Sequence, residues 1–128
     1  MQVRNIVLRI IVLLVLLIGI ISYIPRLLGK DKEIRDYTFR NEELLKEHYK
    51  KHGRYMGYVS REDYEAFASN LVNYCKQNKG ACEFKYEQED NDEIYYLESA
   101  NEIVFVSKDG YIRTYFRPDE GRAYFDRQ

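Results

Sequence analysis

The 128-residue chain has only two cysteines, two histidines and two prolines, and no acidic residue before Asp31. Each scarcity removes a class of function. The cysteines, Cys75 and Cys82, lack the close CxxC spacing of a zinc site and have no histidine near them. Both histidines fall within His48-Tyr49-Lys50-Lys51-His52, where Tyr49 stands at the position that the HExxH zinc-protease motif gives to glutamate. Neither a metal nor another cofactor is therefore expected. No internal repeat or low-complexity tract is present. From residue 31 onward 16 basic residues face 21 acidic ones, a net charge of −5. That balance excludes a nonspecific DNA-coating surface and leaves room for a local basic site.

What is present divides into two unlike parts. From Ile6 to Leu28 the chain reads IVLRIIVLLVLLIGIISYIPRLL, about the 20 apolar residues a helix needs to cross a membrane. Arg9 is close enough to the N-terminal end to snorkel, Tyr23 marks the far interface and Pro25 follows the apolar run. Met1-Gln-Val-Arg resembles the start of a signal peptide, but no small-x-small cleavage site follows. The expected organisation is a transmembrane anchor at 1–30, a juxtamembrane linker at 31–40 and one soluble domain at 41–128. Arg4 and Arg9 on one side nearly balance Arg26, Lys30 and Lys32 on the other, so the charge rule leaves the orientation open. A disulfide between Cys75 and Cys82 is sterically allowed by the turn-like Asn78-Lys79-Gly80 between them. A bonded pair would put the domain outside the cytoplasm, and two reduced thiols fit the sequence equally.

The soluble part has thirteen tyrosines and six phenylalanines in the whole chain to draw on, enough for one small core. A helix is expected to start at Asn41, with Glu42 and Glu43 in its first turn, and to stop at Gly53. A second should start at Ser60, where Ser-Arg-Glu-Asp resembles a capping box, and bury the stripe Tyr64, Phe67, Ala68, Leu71, Val72 and Cys75. Alternation then takes over. Cys82, Phe84 and Tyr86 point one way, and strands are expected at Glu93 to Glu98, Glu102 to Ser107 and Tyr111 to Arg117, with Asp109-Gly110 turning the last hairpin. Arg122 to Gln128 forms a short closing segment. The fold class is thus α+β: two helices packed on a four-stranded antiparallel meander.

Two groups of residues could carry chemistry. His48 and His52, four apart, share one helical face with Lys51, and suit an anion because they combine donors with groups that titrate near neutrality. Capping of the helix C-terminus would use the same residues. In the last strand, alternation puts Arg113, Tyr115 and Arg117 on one face and Ile112, Thr114 and Phe116 on the other. Two guanidiniums beside a hydroxyl suit a phosphodiester. A solvated face paired with acidic strands accounts for them as well.

HYKKHG (His48 to Gly53), the Ser-started helix with Tyr64, the segment Tyr96-Leu-Glu-Ser-Ala-Asn101 and SKDGYIRTYFRPDEGRAYF (Ser107 to Phe125) occur in that order. Together they resemble the C-terminal nuclease modules of bacterial polymorphic and contact-dependent toxins, of the barnase/EndoU/colicin/RelE-like superfamily. The resemblance covers residues 41–128. It departs from the family pattern at Tyr96-Leu97-Glu98, where members often have Tyr-Asp-Pro, and in the membrane helix that precedes the module. It implies a membrane-anchored, metal-independent endoribonuclease in which the 2′-hydroxyl attacks the phosphodiester, with tRNA one candidate substrate. His52 and His48 would serve as acid and base, assisted by the Thr114 and Tyr115 hydroxyls. Lys51, Asn101, Arg113 and Arg117 would hold the RNA, and a cognate immunity protein is an implied partner. The alternative is a tethered interaction domain that keeps the fold without the chemistry.

Overall fold

The computed structural model describes residues 2–27 and 34–128, which form two compact units divided between Glu33 and Ile34. In the first unit, α1 (Gln2–Leu27) is a single helix. Its stretch Gln2–Ser22 has a mean hydropathy of 2.7 and is exposed along its whole length. At 1.5 Å per residue it spans about 30 Å, long and apolar enough to cross a membrane. Leu28 and Lys30, read as the end of the anchor, and the first linker residues 31–33 lie outside the described residues.

The second unit begins seven residues before Asn41, because residues 34–40, read as linker, are docked on the domain. α3 (Arg61–Gln77) explains why. Asn73, Ser69 and Glu65 recur every four residues on one of its faces and meet every second residue of the extended segment. Asn73 brackets Arg35, accepting its N–H at 3.2 Å and donating to its carbonyl at 2.8 Å. Ser69 Oγ accepts the Tyr37 N–H at 2.9 Å, and Glu65 Oε2 the Phe39 N–H at 2.8 Å. Four helical residues rise about 6 Å and two extended residues nearly 7 Å, so the two ladders stay in step. Tyr37 and Phe39 are buried as a result. Asn73→Ala leaves the Arg35 N–H without its partner and its carbonyl with only the longer bond from the Ser69 hydroxyl, at 3.4 Å. An expected loss of about 1–3 kcal/mol should appear as a lower urea midpoint at unchanged m-value.

Both expected N-caps form. Asn41 accepts the Leu44 N–H at 2.9 Å ahead of α2 (Glu42–His48), and Ser60 accepts the Asp63 N–H at 3.0 Å ahead of α3. The first helix does not continue to Gly53 as an α-helix. After His48 it widens into a π-helical turn, Tyr49–Gly53, a feature that often marks functional sites. Gly53 is needed there for space, since a Cβ would fall 2.5 Å from the Tyr49 ring and 3.0 Å from the Tyr64 ring.

The sheet is the expected antiparallel meander in the order β1 (Glu83–Tyr86), β2 (Glu93–Leu97), β3 (Glu102–Val106), β4 (Ile112–Phe116). Cys75 and Cys82 are disulfide-bonded, with Cα atoms 5.4 Å apart, tying the end of α3 to the start of β1. A loop this short contributes about 2.5 kcal/mol in the chain-entropy picture. On one face Tyr95, Val104, Val106, Ile112 and Tyr115 pack with Tyr64, Ala68, Leu71 and Val72 of α3. On the other, Ile94, Tyr96, Ile103 and Phe105 pack on Phe125. That residue belongs to α4 (Arg122–Asp126), so the closing segment is helical and covers the second face.

Two expectations are corrected. Phe67, expected in the buried stripe, is 52 % exposed, whereas Phe84 and Tyr86 do lie on one face of the edge strand β1, with ring centroids 5.1 Å apart. Ile112 and Tyr115, expected on opposite faces, share one. The physical reason is a β-bulge: Val106 pairs with Ile112 but Phe105 pairs with Thr114, so Arg113 is the extra residue and the alternation resets after it.

Candidate functional site

The π turn runs beside the end of β4, and between them opens a cleft of about 610 Å³. One wall carries Lys51, His52, Tyr55 and Met56. The other carries Phe116, Arg117, Pro118, Asp119, Glu120 and Tyr124. His52, Lys51 and Arg117, remote in sequence, are therefore brought together as the sequence suggested.

His52 stacks on Phe116 with ring centroids 4.9 Å apart and planes 22° apart. His48 lies behind it, 6.0 Å from His52 and 5.3 Å from Phe39, and its Nδ1 is buried with no hydrogen-bond partner among the described residues. Burial pushes the His52 imidazole down to about 4, and Lys51 and then His48 push the same way. Burial and Lys51 also lower His48, against a smaller opposing effect of Glu47. Both rings are thus neutral near pH 7, and a neutral imidazole can accept a proton.

A histidine held below its ordinary 6.5 favours the folded state in its neutral form. Its stabilisation is complete above about pH 6.5 and is lost as pH falls toward about 4. The melting temperature should decline across that window, and His52→Gln should flatten the decline above pH 4.5, where most carboxylates are still charged. A wild-type curve that is level from pH 6.5 to 4.5 would contradict the His52 environment.

Arg117 donates from Nη2 to Glu102 Oε1 at 3.0 Å. Glu102, whose side chain is 13 % exposed, was missed by sequence reasoning. Its other oxygen accepts the Tyr115 hydroxyl at 2.8 Å. A carboxylate only accepts, so Tyr115 gives its proton to Glu102, and the Tyr58 hydroxyl 2.8 Å away donates to Tyr115. The Tyr64 hydroxyl donates to the Tyr115 carbonyl. Burial, then the Tyr58 and Glu102 contacts, push the Tyr115 phenol far above its ordinary range.

Four other candidates lie away from the cleft. Tyr115 is fully buried on the α3 face, with its hydroxyl committed as described. Thr114 pairs with Phe105 on the opposite face and does not line the cleft. Arg113, projected by the bulge, pairs with Asp90 at 2.9 Å and with the buried Asp92 at 3.1 Å, near the far end of β4. Asn101 takes the left-handed conformation (φ 50°) after the 3₁₀ turn Glu98–Ala100. Its side chain accepts from the Tyr96 hydroxyl at 3.0 Å and donates to the Pro118 carbonyl at 3.0 Å, so it braces the cleft wall from behind.

The aromatic lining by Tyr55, Phe116 and Tyr124 was also missed. Only Tyr55, 88 % exposed in a run of basic residues, carried a local signal. Among the described residues no cluster of three or more potential metal ligands exists. Compared with protein-family models and with curated proteins, the sequence matches none.

Proposed function

We propose that the domain is an endoribonuclease that cleaves without a metal, with its centre at His52. The observation that carries this reading is the convergence of His52, Lys51 and Arg117 on one open cleft lined with aromatic rings. In the reaction, neutral His52 takes the proton from a ribose 2′-hydroxyl as O2′ attacks phosphorus. The P–O5′ bond breaks, leaving a 2′,3′-cyclic phosphate, and the leaving 5′-oxygen takes a proton from the Lys51 ammonium. Arg117 and Lys51 stabilise the charge on the phosphoryl oxygens. A bound phosphate offsets the positive charge beside His52 and so raises its basicity toward neutrality. Base stacking falls to Tyr55 and Phe116.

A second reading has its own observation. Arg113, Thr114 and Tyr115, implied as catalytic or RNA-binding, are engaged in or near the core. A cleft that kept only His52, Lys51 and Arg117 could bind a partner without cleaving it, an immunity protein included. In either case we read α1, long and apolar enough to cross a membrane, as the tether of the domain, and the Cys75–Cys82 bond supports an extracytoplasmic location. The deciding experiment incubates the full-length chain, in detergent micelles, with RNA in EDTA. Fragments ending in 2′,3′-cyclic phosphate support the nuclease. Intact RNA in the presence of folded protein leaves the binding domain as the better reading.

A further inference from the structure

Glu102 opens β3 in alternation with Val104 and Val106 on the α3 face, and would lie opposite Phe116 if the β3–β4 register ran regularly from Val106 and Ile112. The bulge at Arg113 shifts the pairing by one, so Ile103 faces Phe116 and the next pair along is Glu102 with Arg117. The carboxylate then holds two groups at once, Arg117 through Oε1 and the Tyr115 hydroxyl through Oε2. Tyr115 receives the Tyr58 hydroxyl, and the Tyr58 N–H donates to the Gly53 carbonyl at 3.0 Å, one residue from His52. The Met56 N–H donates to the His52 carbonyl itself at 3.0 Å. Hydrogen bonds joined through the Tyr58 side chain therefore link Arg117 on one wall of the cleft to the loop that carries His52 on the other. Asn101, the preceding residue, holds Pro118 in the same way.

We propose that Glu102 is a positioning residue that fixes Arg117 in place across the cleft from the His52 loop. The proposal rests on reading the cleft as a phosphodiester site. A long arginine side chain loses rotamer freedom when it binds a phosphate, and one already held by a carboxylate has lost that freedom beforehand. The ion pair uses one Nη of Arg117, and the rest of the guanidinium fork remains for a bidentate contact. Glu102 also cancels part of the Arg117 charge. The two effects have opposite signs: if charge cancellation dominated, removing the carboxylate would tighten phosphate binding, whereas loss of positioning weakens it.

That sign is the test. The probe is a 2′-O-methyl RNA oligonucleotide, which lacks the attacking hydroxyl, titrated against the full-length chain in detergent micelles. Glu102→Gln, which keeps the size of the side chain, is expected to weaken binding about tenfold or more. In an Arg117→Ala background the same change should alter affinity less than about twofold, because the group to be positioned is gone. If Glu102→Gln does not fold, as judged by circular dichroism, Tyr115→Phe breaks these hydrogen bonds at their next link and should show the same dependence on Arg117. Wild-type protein that fails to bind the oligonucleotide overturns the cleft reading and this proposal with it. Wild-type protein that binds, with Glu102→Gln binding equally or more tightly, overturns the role of Glu102 alone. So does a weakening that persists without Arg117, since that reports only a general structural effect.

Discussion

His52→Ala should lower RNA cleavage by about 10²–10⁴-fold, the contribution of one well-placed proton carrier. The fold should survive. The ring is only partly buried, and its stacking on Phe116 contributes on the order of 1 kcal/mol. Cleavage rates of the two full-length proteins in EDTA, alongside their melting curves, separate the effects. A variant that keeps the wild-type rate moves the chemistry elsewhere in the cleft. A second readout does not depend on turnover. In the free protein the His52 ring should titrate at about 4, well below His52 in the unfolded chain. Binding of a 2′-O-methyl oligonucleotide should raise that midpoint, because the phosphate charge opposes the influence of Lys51 and His48. An unchanged midpoint in the bound state means that no phosphate sits beside the ring.

Tyr64→Ala should cost about 3–5 kcal/mol, a large part of the 5–15 kcal/mol by which a domain of this size is usually stable. Tyr64 is fully buried where α3, the π turn and β4 meet. Its ring contacts those of Phe39, Tyr49, Tyr58 and Tyr115, with centroids between 5.4 and 6.2 Å away. Its hydroxyl satisfies the Tyr115 carbonyl. Truncation would empty a space bounded by Gly53, whose lack of a side chain exists to admit this ring. Denaturant unfolding measures the loss, and a value under about 1 kcal/mol would mean that the site collapses around the gap. Tyr64→Phe keeps the ring and removes only the hydroxyl, so it should cost about 1–3 kcal/mol.

The candidate site was partly legible beforehand. His48, His52 and Lys51 declared themselves by spacing, and Arg117 by its place at the end of a strand. Their meeting needs no more than a meander whose last strand returns beneath the first helix. Glu102, Tyr58 and Phe116 gave no comparable signal. A glutamate at the head of a strand normally faces water, and nothing within a few residues of Glu102 distinguishes it. Tyr115 misled for a related reason: Arg113, Tyr115 and Arg117 read as one functional face only if the alternation of the strand is unbroken and that face is turned to solvent.

Features of the chain that depend on near neighbours were decided by the amino-acid sequence itself. The apolar run of α1, the caps at Asn41 and Ser60, the helical stripe of α3 and the Asp109-Gly110 turn, where Gly110 has φ 90°, all rest on interactions within a few residues. Such interactions leave a periodic or positional trace. Tertiary structure alone decided the rest. Docking of residues 34–40 depends on three α3 side chains at least 26 residues away matching the rise of an extended strand. The bulge at Arg113 is held by Asp90 and Asp92 from the β1–β2 connection, at least 21 residues back along the chain. One inserted residue moves each later side chain of β4 to the opposite face, which buries Tyr115, turns Phe116 toward His52 and sets Glu102 against Arg117. The composition of the cleft therefore rests on a register, and a register is a relation between distant segments that neither one encodes alone.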